Sequence, residues 1–220
     1  LRCDNGCTLR GGNILKHLEL LIERYPALAV CECEIKRAIE AIIACYEKGG
    51  KLLLCGNGGS CADCDHIVGE LMKGFLKKRP LDESKKAEMR EKCAELDDET
   101  LSKLQGGLSA ISLPTIAALS SAFNNDVDPE LTYAQSTLAL GKAGDIFIGL
   151  STSGNAKNVA AAARVAKGLG MTVIGMSGEG GGKLAALSDI AIRVPESETF
   201  KIQELHLPVY HAICAEVEEY

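Results

Sequence analysis

A glycine-rich turn between an apolar run and a helical segment is the feature of this sequence that most restricts its fold. The run Leu52–Cys55 stops at the Gly-Asn-Gly-Gly-Ser sequence of residues 56–60, and a segment with helical spacing follows. A strand, a glycine-rich turn and a helix N-terminus in this order form a cradle for an anionic group. His66 and Glu70 lie four residues apart on one face of that helix and can share a metal ion or a substrate.

Short apolar runs then alternate with helical patterns along the chain. Residues 52–55, 110–113, 145–150, 172–176 and 190–194 are predicted strands. Right-handed crossovers between them would place helices on both faces of a parallel sheet, which is an α/β fold. Ligands bind such sheets at the carboxyl ends of the strands, where the strand order switches. The loops at 56–60 and 151–155 are richest in small polar residues, so we expect them to share one crevice if their strands are neighbours.

The predicted helices begin with a hairpin at residues 12–48, after a polar and poorly ordered start at 1–10. Further helices are expected at about 60–74, 85–96, 115–123, 128–141, 156–168, after 182 and 200–218. Residues 76–109 are rich in Lys, Glu and Asp, which indicates a charged insertion that is either solvated or a lid over the site. The whole chain, 1–220, is predicted to be one domain.

Composition excludes several other classes of protein. A net charge of −6 without a Lys/Arg stripe argues against a nucleic-acid partner, and no apolar run reaches the roughly 18 residues of a membrane helix. The ten cysteines do not resemble a short secreted disulfide scaffold, so we expect a reduced, cytoplasmic protein. Cys61 and Cys64 have the spacing of a redox pair or half a zinc knuckle, but chance spacing on a helix is favoured because no second pair follows.

The second loop has the composition of a phosphate site. Ser151, Thr152 and Ser153, followed by Gly154, offer three hydroxyls and free backbone N–H groups at a helix start. The loop lacks the Lys of a Walker P-loop, and the glycine spacing at residues 56–59 does not match a dinucleotide fingerprint. A sugar phosphate is therefore a better ligand than a nucleotide.

The last helix carries four residues that could reach a site: Gln203, Glu204, His206 and His211. His206 and His211 are about 140° apart on the helix, so both cannot face one site. Glu204 is almost in line with His211, whereas Gln203 is about 80° away and still able to converge with it. Spacing alone favours Glu204 and leaves Gln203 open.

Five motifs in this order resemble the SIS (sugar isomerase) domain and, within it, the phosphoheptose isomerase branch. They are Cys-Gly-Asn-Gly-Gly-Ser at 55–60, Asp63 with His66 and Glu70, Asn125-Asp126, Ser-Thr-Ser-Gly-Asn at 151–155, and Gln-Glu-Leu-His-Leu at 203–207 with His211. The resemblance runs from about residue 12 to the end of the chain. It implies a three-layer fold around a five-stranded parallel sheet of flavodoxin-like order 2-1-3-4-5, with an N-terminal helical hairpin.

The resemblance also implies roles for individual residues. Zinc, or another divalent metal, would be held by His66, Glu70, Gln203 and His211, which selects Gln203 over Glu204. The substrate would be bound by Asn57, Gly58, Gly59, Ser60, Asp126, Ser151, Thr152 and Ser153, with the phosphate on the second loop. Glu70 would be the catalytic base, and His211 the acid/base at the substrate oxygens.

The implied function is ketose–aldose isomerisation of a sugar phosphate, sedoheptulose 7-phosphate above others, by a homotetramer with active sites between subunits. The alternatives are a non-catalytic SIS-domain protein, either a sugar-phosphate sensor or a replication-initiator-associated protein, and an isomerase of another phosphosugar. Two departures bear on the sugar. Ala156 stands where the family's phosphate loop commonly has Ser, and shorter members lack the insertion at 76–109.

Overall fold

The computed structural model describes residues 15–220, so the polar start predicted at 1–10 lies outside the described residues. The strands are β1 (Leu52–Cys55), β2 (Ala110–Ser112), β3 (Ile146–Leu150), β4 (Thr172–Ser177) and β5 (Ile190–Arg193). The helices are α1 (Lys16–Arg24), α2 (Glu32–Glu47), α3 (Gly59–Met72), α4 (Glu83–Lys92), α5 (Asp98–Lys103), α6 (Ala117–Asp126), α7 (Thr132–Leu140), α8 (Lys157–Gly168), α9 (Gly182–Leu187) and α10 (Thr199–Glu219).

The five strands form one parallel sheet in the order β2-β1-β3-β4-β5. This confirms the predicted α/β fold and its strand order. Every residue of β1 and of β3 is buried, as expected for central parallel strands that are covered on both faces. The order reverses at β1, which lies between β2 and β3, so the predicted switch point is at the end of β1.

Alternate side chains of each strand enter two separate cores. Leu52 and Leu54 belong to the core that α1, α2, α3 and α10 share, whereas Leu53 and Cys55 belong to the core beneath α8 and α9. The period of two in a strand produces this division, because successive side chains point to opposite faces. The result is a three-layer molecule in which α3 and α10 cover the same face of the sheet.

The N-terminal hairpin forms, but α1 packs more on α10 than on α2. Helices α1 and α2 are joined by a 3-10 turn, Pro26–Cys31. The buried carboxylate of Glu216, on α10, accepts hydrogen bonds from the backbone N–H groups of His17 and Leu18 at 2.5 and 3.0 Å. A carboxylate at a helix N-terminus satisfies orphan donors and complements the helix dipole. This contact fixes α1 beside the last helix.

Several helices differ from the sequence prediction; helix α4, for example, ends at Lys92 and not near residue 96. Helix α6 continues through Asn124 and Asn125 to Asp126, where a stop was predicted. Helix α7 begins at Thr132 and not at the Asp128-Pro129 pair, because Asp128 accepts hydrogen bonds from the N–H groups of Glu130 and Leu131 and forms a turn. Helix α5 was not predicted; Asp97 caps it, and its Leu101 is buried.

The cysteines are mostly buried thiols. Among the described residues, Cys31, Cys45, Cys55, Cys61, Cys64, Cys93 and Cys214 are free. Cys33 is disulfide-bonded, so the prediction of a fully reduced chain is wrong at that position. Burial raises the pKa of Cys61 and raises that of Cys64 well above the ordinary value, which disfavours the reactive thiolate. In residues 15–220, no helix has the length and apolar character needed to cross a membrane.

Candidate active site

The two polar loops lie side by side at the carboxyl edge of the sheet. Strand β1 pairs directly with β3, and a pair of amides joins the loop after β1 to the helix that follows the loop after β3. Asn57, in the first loop, and Asn158, in the first turn of α8, exchange two hydrogen bonds of 2.9 Å. The hydroxyl of Tyr133, on α7, also holds the first loop, because it donates to the carbonyl of Gly56 at 3.0 Å. The first loop is therefore fixed beside the start of α8, at the crevice expected from the strand pattern.

Glycine is needed at two positions of the first loop for different physical reasons. Gly58 has φ +56°, in the left-handed region that side chains disfavour. Gly59 leaves room for the last helix: a Cβ atom there would lie 2.5 Å from Nε2 of Gln203. The amide of Gln203 thus lies directly on the first loop. Glu204, which spacing alone favoured, is exposed and lines a groove between α1 and α10.

The hydroxyls of the second loop are already partly engaged. The Ser151 hydroxyl oxygen accepts from the N–H of Ala156 at 3.4 Å, and that of Ser153 accepts from the N–H of Asn155 at 3.2 Å. A hydroxyl that accepts one bond keeps its own hydrogen to donate. Both serines, and the half-buried Thr152, therefore remain able to donate to a phosphate oxygen at the start of α8.

Four side chains from α3 and α10 converge and are called here the reactive cluster: His66, Glu70, Tyr210 and His211. Nε2 of His66 is 3.1 Å from Oε1 of Glu70, and the rings of His66 and His211 meet edge to face with centroids 5.0 Å apart. The Glu70 side chain is 15% exposed, so its carboxylate is shielded yet reachable. A base and a neighbouring imidazole in one crevice can take a proton from carbon and move protons between oxygens.

The protonation of His211 is set by its surroundings. Partial burial lowers the pKa of His211, His66 lowers it further, and Glu70 acts in the opposite direction. Neutral imidazole is therefore the form present at neutral pH, and it can accept a proton or bind a metal. The ring of Phe75 lies against His211 with centroids 5.6 Å apart and forms part of its apolar wall.

The donor atoms suit a divalent cation, although they do not form a ready-made cage. Among residues 15–220, no group of three or more His, Cys, Asp or Glu side chains is arranged to hold a metal ion. However, Nε2 of His211 is buried without a hydrogen-bond partner, which is unfavourable unless another group satisfies it. Imidazole, carboxylate and amide donors are compatible with zinc. The residues present fit such an ion by their chemistry.

Asp126 is a predicted site residue without a described contact to the reactive cluster. It ends α6, is exposed, and accepts a 2.8 Å hydrogen bond from its neighbour Asn125. None of its described contacts is with another predicted site residue. The exposed position leaves its carboxylate free to meet a ligand or another chain.

His206 has surroundings unlike those of His211. It is completely buried near the end of β4, and neither ring nitrogen has a hydrogen-bond partner. Burial lowers its pKa to about 4, and the backbone of Ser177 opposes this only in part. His206 is thus a neutral core residue, on a different side of α10 from the reactive cluster.

We expect His206 to make the fold acid-sensitive. The unfolded chain binds a proton at this residue near pH 6.5 and the folded chain only near pH 4, so stability is lost as the pH falls between these values. Over that window the loss is about 3 kcal/mol of unfolding free energy. Urea unfolding at several pH values should show a steeper acid loss for the wild type than for His206→Gln. Parallel profiles of the two proteins would contradict the assignment.

A buried carboxylate ties the ends of α3 and α10 together. Glu218 accepts backbone hydrogen bonds of 2.7, 2.6 and 2.9 Å from Phe75, Leu76 and Lys77. Its Oε1 is also 3.2 Å from Nε of Arg79, whose guanidinium donates to the carbonyl of Leu71 at 2.7 Å and to that of Lys73. Arg79 therefore caps the C-terminus of the helix that carries His66 and Glu70. We call Glu218, Arg79 and residues 75–77 the terminal clamp.

The charged insertion is largely solvated. All residues of α4 are at least partly exposed, and Leu101 of α5 is buried. The insertion leaves and rejoins the fold at one point, where the N–H of Gly106 donates to the carbonyl of Arg79 at 2.7 Å and Pro80 bridges to Gln105. Through Arg79, its first residues contact the end of α3.

Several residues of the site were not predicted from the sequence. Tyr210, Phe75, Tyr133 and Asn158 had no assigned role, and Asp63 was noted only as part of a motif. Asp63 is one helical turn before His66, and Tyr210 is next to His211, so proximity in sequence was an available signal. The contact between Tyr210 and His66 could not be predicted in this way, because the two residues are 144 positions apart in the sequence.

The comparisons with known proteins agree with this geometry. Two models of the SIS domain match residues 27–112 and 114–215, which together contain the whole sheet, α3 and most of α10. Fold, loops and matched segments define the chain as a SIS-domain protein.

Relatives narrow the class further. The phosphoheptose isomerase of Aneurinibacillus thermoaerophilus is 37% identical over 210 residues, covering 94% of this chain and 92% of the relative. That of Burkholderia pseudomallei is 38% identical over 184 residues, covering 84% and 80%. The solved phosphoheptose isomerase of Neisseria gonorrhoeae matches with a TM-score of 0.72 and 30% identity, over 93% of this chain and 96% of that one. The chain belongs to the phosphoheptose isomerase family of enzymes.

Proposed function

We propose that this protein is a metal-dependent ketose–aldose isomerase of a sugar phosphate. The favoured reaction converts sedoheptulose 7-phosphate to glycero-manno-heptose 7-phosphate. The observation that carries the proposal is the reactive cluster, where Glu70 and His211 both lie against the ring of His66. Membership of the phosphoheptose isomerase family supports the choice of substrate.

The proposed mechanism moves one proton between adjacent carbons. The Glu70 carboxylate removes the proton from carbon, which gives an enediol, and returns it to the neighbouring carbon. Neutral His211 accepts and donates protons at the substrate oxygens. Asn57, Gly58, Gly59 and Ser60 would orient the sugar, with Asp126 near its hydroxyls, while Ser151, Thr152 and Ser153 bind the phosphate. Zinc or another divalent ion would be held by His66, Glu70, Gln203 and His211, and when bound it would polarise the substrate carbonyl as a Lewis acid.

The test is a panel of phosphosugars, assayed with metal-stripped protein and again after zinc is added back. Turnover of sedoheptulose 7-phosphate that depends on zinc is the expected result. Tight binding without turnover would instead favour the sensor alternative, and turnover of a different member of the panel would reassign the sugar. No binding of any phosphosugar would reject the proposal and favour the replication-initiator-associated alternative.

Gly59→Ala provides a graded test of the role of Gln203. The new Cβ would occupy the position of the Gln203 amide, which is the end of a flexible side chain, so the fold should tolerate the change. Zinc affinity, measured by competition with a chelating dye, should fall about 10- to 100-fold, a loss typical of disturbed metal sites. Gly69→Ala is the matched control on the same helix, since its Cβ would meet nothing within 4 Å. Equal zinc affinity in both variants would remove Gln203 from the ligand set.

We also propose that the protein is a homotetramer. A groove of about 430 Å³ between α1 and α10 reaches His211, and exposed Leu20, Leu76 and Leu207 line it. Leu131 and Leu138, seven residues apart, add a second exposed apolar stripe along α7. Surfaces of this kind are typical of subunit contacts, and a second copy of this chain would cover them. Light scattering of the purified protein measures the expected fourfold mass.

Cytoplasmic location stays a prediction.

A further inference from the structure

A chain of hydrogen bonds runs from Asp63 through Tyr210 to His66. The Tyr210 hydroxyl is 3.2 Å from Oδ1 of Asp63 and 2.9 Å from Nδ1 of His66. Tyr210 is 2% exposed, and its ring packs edge to face on both His66 and His211, with centroids 5.5 and 5.0 Å away. The hydroxyl is therefore held in one place by the packing of its ring.

The hydrogen-bond chain has a preferred direction. A tyrosine hydroxyl has one hydrogen, and an ionised carboxylate can only accept. Tyr210 therefore donates to Asp63 and accepts from His66, which requires the proton of the neutral imidazole to be on Nδ1. The opposite direction would leave the contact between the Tyr210 oxygen and the Asp63 carboxylate without a proton. The contact with Asp63 thus favours the form of His66 that carries its hydrogen on Nδ1.

This direction has a consequence on the other side of the ring. With the hydrogen on Nδ1, the lone pair of Nε2 points at Oε1 of Glu70, 3.1 Å away. Two acceptors at this distance repel each other when no cation lies between them. Glu70 can bear this better than Asp63 can lose its bond from Tyr210, because Glu70 is 15% exposed to water and has Lys73 3.6 Å away, whereas Tyr210 is buried. A proton satisfies the pair when His66 is charged, and a divalent metal satisfies it when the imidazole is neutral. The chain prepares His66 and Glu70 to share a cation.

We propose that Asp63 and Tyr210 are positioning residues that hold His66 in the Nδ1-protonated tautomer and keep Nε2 available to a divalent cation shared with Glu70. The inference rests on the proposed function only in its choice of ligand. Asp63→Asn would reverse the chain, because the amide can donate to the Tyr210 oxygen. The Tyr210 hydroxyl would then donate to Nδ1, and the proton of His66 would move to Nε2, where it bonds to Glu70.

The test reads the tautomer directly, in metal-free protein at a pH where His66 is neutral. Long-range ¹⁵N–¹H spectra distinguish Nδ1–H from Nε2–H for each histidine. We expect Nδ1–H in the wild type and Nε2–H in Asp63→Asn. Tyr210→Phe keeps the ring packing, removes both hydrogen bonds and should give a mixture. Tyr46→Phe is the control, since its hydroxyl bonds to the carbonyl of Ser109, outside the reactive cluster.

A zinc titration by chelator competition supplies a second measurement. Asp63→Asn and Tyr210→Phe should both bind zinc about 10- to 100-fold more weakly than the wild type and the control. An Nε2–H tautomer in the wild type, or a tautomer unchanged in Asp63→Asn, would overturn the proposal, as would unchanged zinc affinity in both chain variants. Neither measurement uses a sugar. Failure of every phosphosugar to turn over would therefore reject the proposed function and leave this result standing.

Discussion

Glu70→Gln should abolish turnover while leaving the fold and the oligomer intact. The amide is nearly isosteric and keeps the contact with His66, but it cannot take a proton from carbon. A loss of about 10²–10⁴-fold in kcat is expected for a general base, and more if the same change weakens metal binding. His211→Ala should be comparably inactive, because it removes the proton carrier at the substrate oxygens. The measurement is kcat with saturating zinc and sedoheptulose 7-phosphate.

The control for this experiment is Glu88→Gln. Glu88 is an exposed carboxylate on α4 that pairs with Lys85 and Lys92, so its loss should not change kcat. The double variant Glu70→Gln/His211→Ala should be little worse than either single variant, because residues that act as a unit have non-additive effects. Wild-type kcat in Glu70→Gln would reject the proposed mechanism outright.

The second large effect is expected at the terminal clamp. Glu218→Ala would leave Arg79 without its carboxylate and three backbone N–H groups without their acceptor. Breaking an ion pair this buried, with a Glu218 side chain 2% exposed, should lower the free energy of unfolding by about 3 kcal/mol. For a chain of this size, that corresponds to a fall in Tm of roughly 6–12 °C. Calorimetry or urea unfolding at neutral pH measures it.

The stabilisation by Glu218 should depend on pH, and the pKa of Glu218 fixes the direction of that dependence. Burial raises the pKa of Glu218, but the N–H groups of residues 75–77 and Arg79 outweigh it and lower the pKa below its ordinary value. The stabilisation is therefore present at neutral pH and is lost as the pH falls and the carboxylate is protonated. The difference between wild type and Glu218→Ala should shrink in acid. Glu219→Ala, which removes a more exposed carboxylate next in the chain, should change stability far less. Equal effects of the two variants would show that the clamp contributes little.

The strands and most helices could be predicted from the sequence because their signals are local. An apolar run such as Ile146–Leu150 is short, continuous and bounded by polar residues, and it reads as a buried strand without knowledge of its neighbours. Helix α7 was placed too early because Pro129 suits a first turn, while the side chain of Asp128 forms a competing turn. Helix α5 is short, and its apolar contact to the core is one residue, Leu101, which leaves almost no periodic signal.

Individual residues of the candidate site could be predicted from the sequence, but the contacts between residues distant in sequence could not. Residue types at fixed spacing identified His66 and Glu70 as a pair, and helical geometry separated His206 from His211. The choice between Gln203 and Glu204 came from resemblance, because spacing along α10 does not say which neighbour approaches it. The structure puts Gln203 on Gly59. Contacts such as Tyr210 with Asp63, 147 residues apart, depend on how α3 and α10 pack, which no local pattern encodes.

The two ends of the insertion lie close together, so this part of the chain should tolerate changes in length and sequence. Residues 81–104 depart and return between Arg79 and Gly106, whose backbones are joined by one 2.7 Å hydrogen bond. Closing a loop that is twice as long costs only about 0.6 kcal/mol more, so segments of very different length are compatible with the same sheet and the same reactive cluster. A different sequence could therefore replace residues 81–104 without a change in the sheet or in the reactive cluster.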